Sequence, residues 1–279
     1  MSERSEAAVW VESAPAWQPM ARFQWGAVQT LWWREIVRFV RQRSRVTGAF
    51  AQPLVFWLLL GGGLNSSFRA PDVPQTSYMA YFYPGVIALV LLFTAIFATI
   101  AVVEDRQAGF LQGVLVAPVS RATIVLGQAL GCTTLGLVQG AIFLLFAPAV
   151  GIHLSATSVV AVLAVQAVMA FGLTNLGLII AWRMESTQGF HAIMNLILLP
   201  IWLLSGAFFP ATGASPWLSW IMKIDPLTYG MAALRRTLYL DQPAAVGALP
   251  GLLPSLVVIT LFAAATFWVA VLTARRTAQ

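Results

Sequence analysis

Apolar positions in this chain come in long unbroken runs, and polar positions are confined to the gaps between them. The run GVIALVLLFTAIFATIAVV, residues 85–103, lacks the two-residue alternation of a barrel strand and has no charged face. A run of about 19 such residues is long enough to cross a hydrocarbon layer of ~30 Å as a helix. Six qualify: about 46–64, 81–103, 122–150, 156–182, 188–208 and 251–273. The pattern therefore predicts an all-α, polytopic membrane protein with six transmembrane helices. Pro53 and Pro200 fall inside spans, where neighbouring helices can absorb a lost hydrogen bond.

The gaps differ in character. Residues 1–21 are polar and Pro-containing and read as a flexible tail, without the basic, apolar, small-residue order of a cleaved signal. In 22–45, Arg34, Arg38, Arg41 and Arg45 recur at intervals of four, three and four, which makes a narrow basic stripe on one helix. Trp32, Ile36, Phe39 and Val40 fall opposite. A basic, Trp-bearing amphipathic helix of this kind is expected to lie in the headgroup plane with its apolar face in lipid. The gap 209–250 is long for a loop and rich in aromatics. It predicts two short helices, about 215–223 and 227–239, at the membrane interface, punctuated by Asp225–Pro226.

Charge sets the orientation. Five arginines lie between Arg34 and Arg45, Arg106 and Arg121 flank the second connection, Arg183 the fourth, and Arg275 and Arg276 end the last span. The connections 65–80 and 151–155 offer only Arg69. The positive-inside rule then places both termini in the cytoplasm, with 209–250 outside despite Lys223, Arg235 and Arg236.

Composition confirms the class. Of 279 residues 9% are charged and 59% hydrophobic, with a mean hydropathy of +0.81, whereas soluble domains carry about 25% charged residues. The net charge of +6 belongs to arginines beside apolar runs. It points to anionic lipid rather than nucleic acid. Cys132, the single cysteine, sits in an apolar run and reads as a small buried hydrophobe.

Several chemistries are disfavoured. The only lysine, Lys223, follows Met222, so the Gly-Lys-Ser/Thr turn that holds nucleotide phosphates is missing. His153 and His191 are 38 residues apart without a neighbouring carboxylate, so no metal or catalytic site is expected. A membrane-embedded hydrolase would have to pair Ser205 with His191, but Ser205 lacks a nucleophile turn. Gln139, Gln166, Thr174, Asn175, Gln188 and Asn195 are uncharged and suit either helix–helix hydrogen bonds or a polar path. No charged residue lies mid-span, which argues against an ion-coupled carrier and leaves transport driven from outside the chain.

The gap EDRQAGFLQGVLVAPVSR, residues 104–121, carries three charges, then Phe110, Leu111, Val114 and Leu115 on one side of a short helix, then Pro118 as a stop. On physical grounds it fits an interfacial loop as well as a helix offered to a soluble partner.

This segment, together with FFPATGASPWLSWIMKIDPLTYGMAALRR and WWREIVRFVRQRSRVTGAFAQPLVFWLLLG, resembles the ABC-2 type exporter permeases in motif, order and spacing. The resemblance implies a permease subunit that binds no cofactor, with ATP and magnesium on a separate ATP-binding cassette ATPase. It implies a second permease, identical or paralogous, in a bacterial-type cytoplasmic membrane. It makes 104–118 a coupling helix for the ATPase, with Glu104, Asp105, Arg106, Gly109, Leu111 and Pro118 as family-like positions. It makes 22–45 the interface helix, and 46–273 the transmembrane domain. Helices within 209–250, carrying Pro210, Trp217, Asp225, Pro226, Tyr229 and Arg235, would shape an external gate. Phe110 stands where the family often has threonine, and Gln107 where an acid is common. The rival reading from the residues is a stand-alone carrier or channel.

Overall fold

A computed structural model of the chain describes residues 23–64, 77–210, 214–242, 246–247 and 249–276. The expected 1–21 tail lies outside the described residues. The six spans are α2 (Arg43–Leu64), α3 (Tyr78–Gln107), α5 (Arg121–Leu144), α6 (Ala156–Ala181), α7 (Thr187–Trp202, extended by a wider turn Leu203–Ala207) and α10 (Leu252–Arg276). Between them come α1 (Trp25–Arg41), α4 (Phe110–Val116), α8 (Pro216–Ile224) and α9 (Pro226–Leu238). No strand occurs among the described residues.

Helix starts follow local chemistry. Ser77, Ser120, Ser155 and Ser186 each cap a span by accepting an amide three residues on, and Asp225 caps α9 by accepting the Leu227 amide two residues on. Ends differ from the sequence reading where polarity is no guide. The third span stops at Leu144, and Ala147–Val150 forms a separate tight turn around Pro148.

α3 is the central post. Its most apolar stretch is 94% buried, while α2, α7 and α10 keep two thirds or more of theirs facing outward. It packs against α2, α5, α6 and α7. One end of α3 meets α1 and α4, and the other meets α9 and the 203–207 turn. The two candidate sites lie at these opposite ends.

The N-terminal helix corrects the expectation. The arginine stripe does not run on one helix, because the chain breaks at Gln42; Arg45 belongs to α2 and only Arg34, Arg38 and Arg41 to α1. Nor does the apolar side of α1 lie in lipid. Val28 and Phe39 are buried, and α1 packs along α5. Gly127 and Gly131 of α5 make this possible. A Cβ on Gly127 would stand 2.7 Å from Leu31 Cβ, and one on Gly131 2.7 Å from Glu35 Cβ. Small residues four apart let two backbones approach in this way. Trp32 Nε1 donates to Thr134 Oγ1 at 3.0 Å across the same seam. The exposed arc of α1 carries Trp25, Trp33 and Val40 instead.

Candidate functional site

At the end of α3 nearest α1, a cluster of charges joins three helices. Asp105 Oδ1 accepts from Arg34 Nη2 and from Arg38 Nη1, each at 2.6 Å. Glu104 accepts from Arg38 Nη2 at 2.7 Å and from Arg45 Nη2. Glu104 therefore bridges the break at Gln42, holding α1 with one oxygen and α2 with the other. Arg34 also pairs with Glu35 at 3.2 Å. Glu35 is 4% exposed, and burial pushes its carboxyl up to about 7 although Arg34 draws it down. Arg41 stays on the surface.

The next residues tie α3 to a different place. Arg106 donates to the carbonyls of Met184, at 3.0 Å, and Trp182. Gln107 Nε2 donates to Glu185 O at 2.7 Å. Both reach the short turn between α6 and α7. Four successive residues, Glu104 to Gln107, thus fasten α1, α2 and that turn to one helix end. They form the last turn of α3 and are not part of the short helix that follows, a correction to the single 104–118 helix of the sequence reading.

Gly109 makes the corner, with a left-handed φ of 74° that disfavours any side chain. α4 packs on α3 and meets the α1 side at its two ends. Leu111 is buried against the core, while Phe110 is 47% exposed with the Arg34 guanidinium 4.1 Å from its ring centre. Gln24 Nε2 donates to Pro118 O at 3.3 Å, fixing the far end of α4. Side chains of Gln112, Leu115 and Val116 lie outside the described residues; of the expected apolar side, Leu111 is buried and Val114 half-buried, whereas Phe110 is exposed.

At the opposite end, α8 exposes Trp217, Trp220, Ile221 and Ile224. Pro226 opens α9 in its first turn. Tyr229 OH donates to Lys223 O at 3.0 Å, closing the α8–α9 corner, and Pro210 is half-buried. Asp225 is buried, and burial pushes its carboxyl up to about 7 against the pull of the Leu227 amide. Arg235 is 8% exposed. Its Nη2 donates to Gly206 O at 2.9 Å and Tyr81 O at 3.3 Å, and it sits 4.0 Å from the Tyr81 ring centre.

The polar residues of the spans divide. Thr94 Oγ1 donates to Gln139 Oε1 at 2.8 Å and Asn175 Nδ2 to Phe171 O at 2.8 Å, and Gln166 is fully buried, whereas Gln188 and Asn195 face outward. Ser205 and His191 are not brought together. They sit at opposite ends of span five, about 20 Å apart at 1.5 Å per residue, with Ser205 donating to Trp202 O and His191 edge-on to Phe97 and Phe190.

A multi-span bundle whose charged helix end binds an N-terminal helix and presents a short corner helix narrows the class, and the comparisons decide it. The family model described as ABC-2 type transporter matches residues 26–239. The chain belongs to the ABC-2 type transporter family. Among its relatives are a protein named as transport permease ycf38 in Cyanophora paradoxa, 27% identical over 72% of this chain and 70% of that protein, and the inner membrane transport permease YadH of Escherichia coli (strain K12), 25% identical over 77% and 84%. Nodulation protein J of Rhizobium leguminosarum bv. trifolii is 26% identical over 78% and 82%. This ABC-2 chain is thus a multi-pass membrane permease subunit of an ABC transporter, and a transport permease is not by itself an enzyme. The family match begins at Gly26 and covers α1, so α1 is part of the permease and not an appendage.

Sequence reasoning missed Glu35, Tyr81 and Gly206. Tyr81 and Gly206 carry no charge, and Glu35 stands within the arginine stripe, whose spacing gives no sign of its burial. The glycine of Ser205-Gly206 just before the Phe-Phe-Pro was the available signal for a break in the span.

Proposed function

We propose that this permease is the membrane half of an ATP-driven exporter in a bacterial-type cytoplasmic membrane, with both termini on the cytoplasmic side. A separate cassette ATPase carries ATP and magnesium, and two permeases, identical or paralogous, enclose the path. Cargo is drug-like, lipid or polysaccharide; the uncharged span interiors favour amphipathic cargo. Arginines at the α1 end support the orientation, and the name of the Escherichia coli relative supports the membrane. The exposed Trp25 and Trp33 of α1 sit against interfacial lipid.

The observation that carries the ATPase reading is α4 itself. It is a short helix set off by a glycine corner, anchored by Leu111 and braced by Arg34 and Gln24, with Phe110 and Gly113 turned outward. Phe110 and Gly113 are therefore the docking contacts. Glu104, Asp105 and Arg106 act behind them, as struts that set the angle of α4. Closure of the ATPase pair on ATP pushes α4, and the bundles shift as near-rigid bodies.

Co-purification with the ATPase tests this. Phe110→Asp should cut recovery of the complex by tenfold or more, about the weight of one buried aromatic anchor, while the permease alone keeps its melting temperature. Unchanged recovery places docking elsewhere. Full transport by the permease without any ATPase would replace this reading by a stand-alone carrier.

A further inference from the structure

Span five does not reach its end as a regular helix. Pro200 lies inside α7 and a wider turn follows, in which Gly206 takes a left-handed φ of 79°. Such a break frees carbonyls from helical bonding, and an unbonded carbonyl in a bilayer costs several kcal/mol. Here the groups past the break have donors. Phe208 O accepts from Tyr78 OH at 3.1 Å, and Trp202 O takes Ser205 Oγ at 2.7 Å in addition to its turn. Gly206 O accepts twice, from Tyr81 OH at 3.0 Å and from Arg235 Nη2 at 2.9 Å. Trp202 Nε1 donates back to Gly85 O at 2.8 Å. Gly85 also lets α3 approach the break closely, since a Cβ there would stand 2.7 Å from Ala207 O.

Arg235 is the one charged member of this joint. Two carbonyls and the Tyr81 ring hold it, and among the described residues no carboxylate lies within ion-pair distance of it. A guanidinium held by dipoles and a ring is released more readily than one in a buried ion pair. It links α9 to the start of α3 and to the broken end of span five, and α8 follows from the same broken end.

We propose that Arg235 is the positioning residue of a gate at this end of the bundle: with Tyr81 it clasps Gly206 and so holds α8 and α9 closed over the broken end of span five. Release of the clasp frees the two helices from the start of α3. The gating role rests on the transporter reading above; the clasp does not.

The test separates the two. Ser205, buried under the clasp, is replaced by cysteine in full-length permease in nanodiscs, and a membrane-impermeant maleimide is applied. Native Cys132, buried midway along α5 beside Glu35, reports unfolding in the same samples. With the clasp intact, Ser205→Cys labels slowly. Arg235→Gln should speed labelling at least about tenfold, the weight of a charge-assisted bond, and Tyr81→Phe about fivefold. Arg235→Lys, which keeps the charge but not the two-carbonyl reach, should fall between parent and Arg235→Gln. Cys132 labelling should stay at the parent rate. If Arg235→Gln also exposes Cys132, the milder Tyr81→Phe decides. Unchanged Ser205→Cys rates in Tyr81→Phe and Arg235→Gln overturn the clasp. With the ATPase present, ATP should speed labelling in the parent and add nothing in Arg235→Gln. A working clasp that ignores ATP overturns the gate and leaves the clasp standing.

Discussion

Glu35 sits where α1 presses on α5, with Arg34 and Arg38 from its own helix, Arg45 from α2, Asp105 from α3 and Cys132 from α5 around it. Its ordinary value is 4.5 and burial lifts it to about 7 in the folded chain. The folded state therefore holds this proton to higher pH than the unfolded one. Stability from this group is full below about 4.5, falls as pH rises towards 7, and stays low above. Glu35→Gln should remove that slope: relative to the parent, the variant gains melting temperature at pH 8 and gains little at pH 5. Thermal unfolding in detergent across that range measures it, and parallel curves for the two proteins would show that Glu35 does not titrate there. The charge of Glu35 is readable in the sequence, but its burial is not. Burial depends on Gly131, nearly one hundred residues away, which lets the helices close to the point where water is shut out.

The same contrast holds for whole elements. The spans were legible because a membrane imposes a length and a polarity that no soluble neighbour imitates, and the serine caps sharpen their starts. The place of α1 was not legible. Periodicity marks an apolar side but does not say whether lipid or protein covers it, and of the arginine stripe Arg34, Arg38 and Arg45 pair with Glu104 and Asp105. The missing information lay in the partner: Gly127 and Gly131 are a small-residue seam on α5. Gly131→Ala tests it at the scale of the helix. The added methyl would meet Glu35 Cβ at 2.7 Å and the Trp32 carbonyl at 3.1 Å. That is overpacking worth about 1–3 kcal/mol, seen as a lower melting temperature and faster proteolysis after α1. A melting temperature equal to the parent's would mean that α1 is loosely held.

In the whole molecule, the charges of Glu104, Asp105 and Arg106 are taken up by bonds to α1, α2 and the α6–α7 turn, and on the reading proposed above docking rests on α4. Arg106 shows the difference in practice. It fastens α3 to the α6–α7 turn, so Arg106→Gln should leave ATPase co-purification within about twofold of the parent while transport falls by tenfold or more, the scale of losing a charge-assisted bond. Parallel loss of binding and transport would return Arg106 to the docking surface. The order of the elements was legible from end to end. Most joints between them were not, because they bring together groups far apart in sequence, such as Glu104 with Arg45 and Gly206 with Tyr81.

Between Tyr81 in the clasp and Asp105 in the charge cluster, α3 runs about 36 Å without a break, and almost none of that length touches lipid. A stiff rod inside a sleeve of other helices moves lengthwise or turns as one piece, whatever the thickness or fluidity of the bilayer outside. The two ends of the permease are therefore in mechanical register through the one helix that the membrane cannot grip.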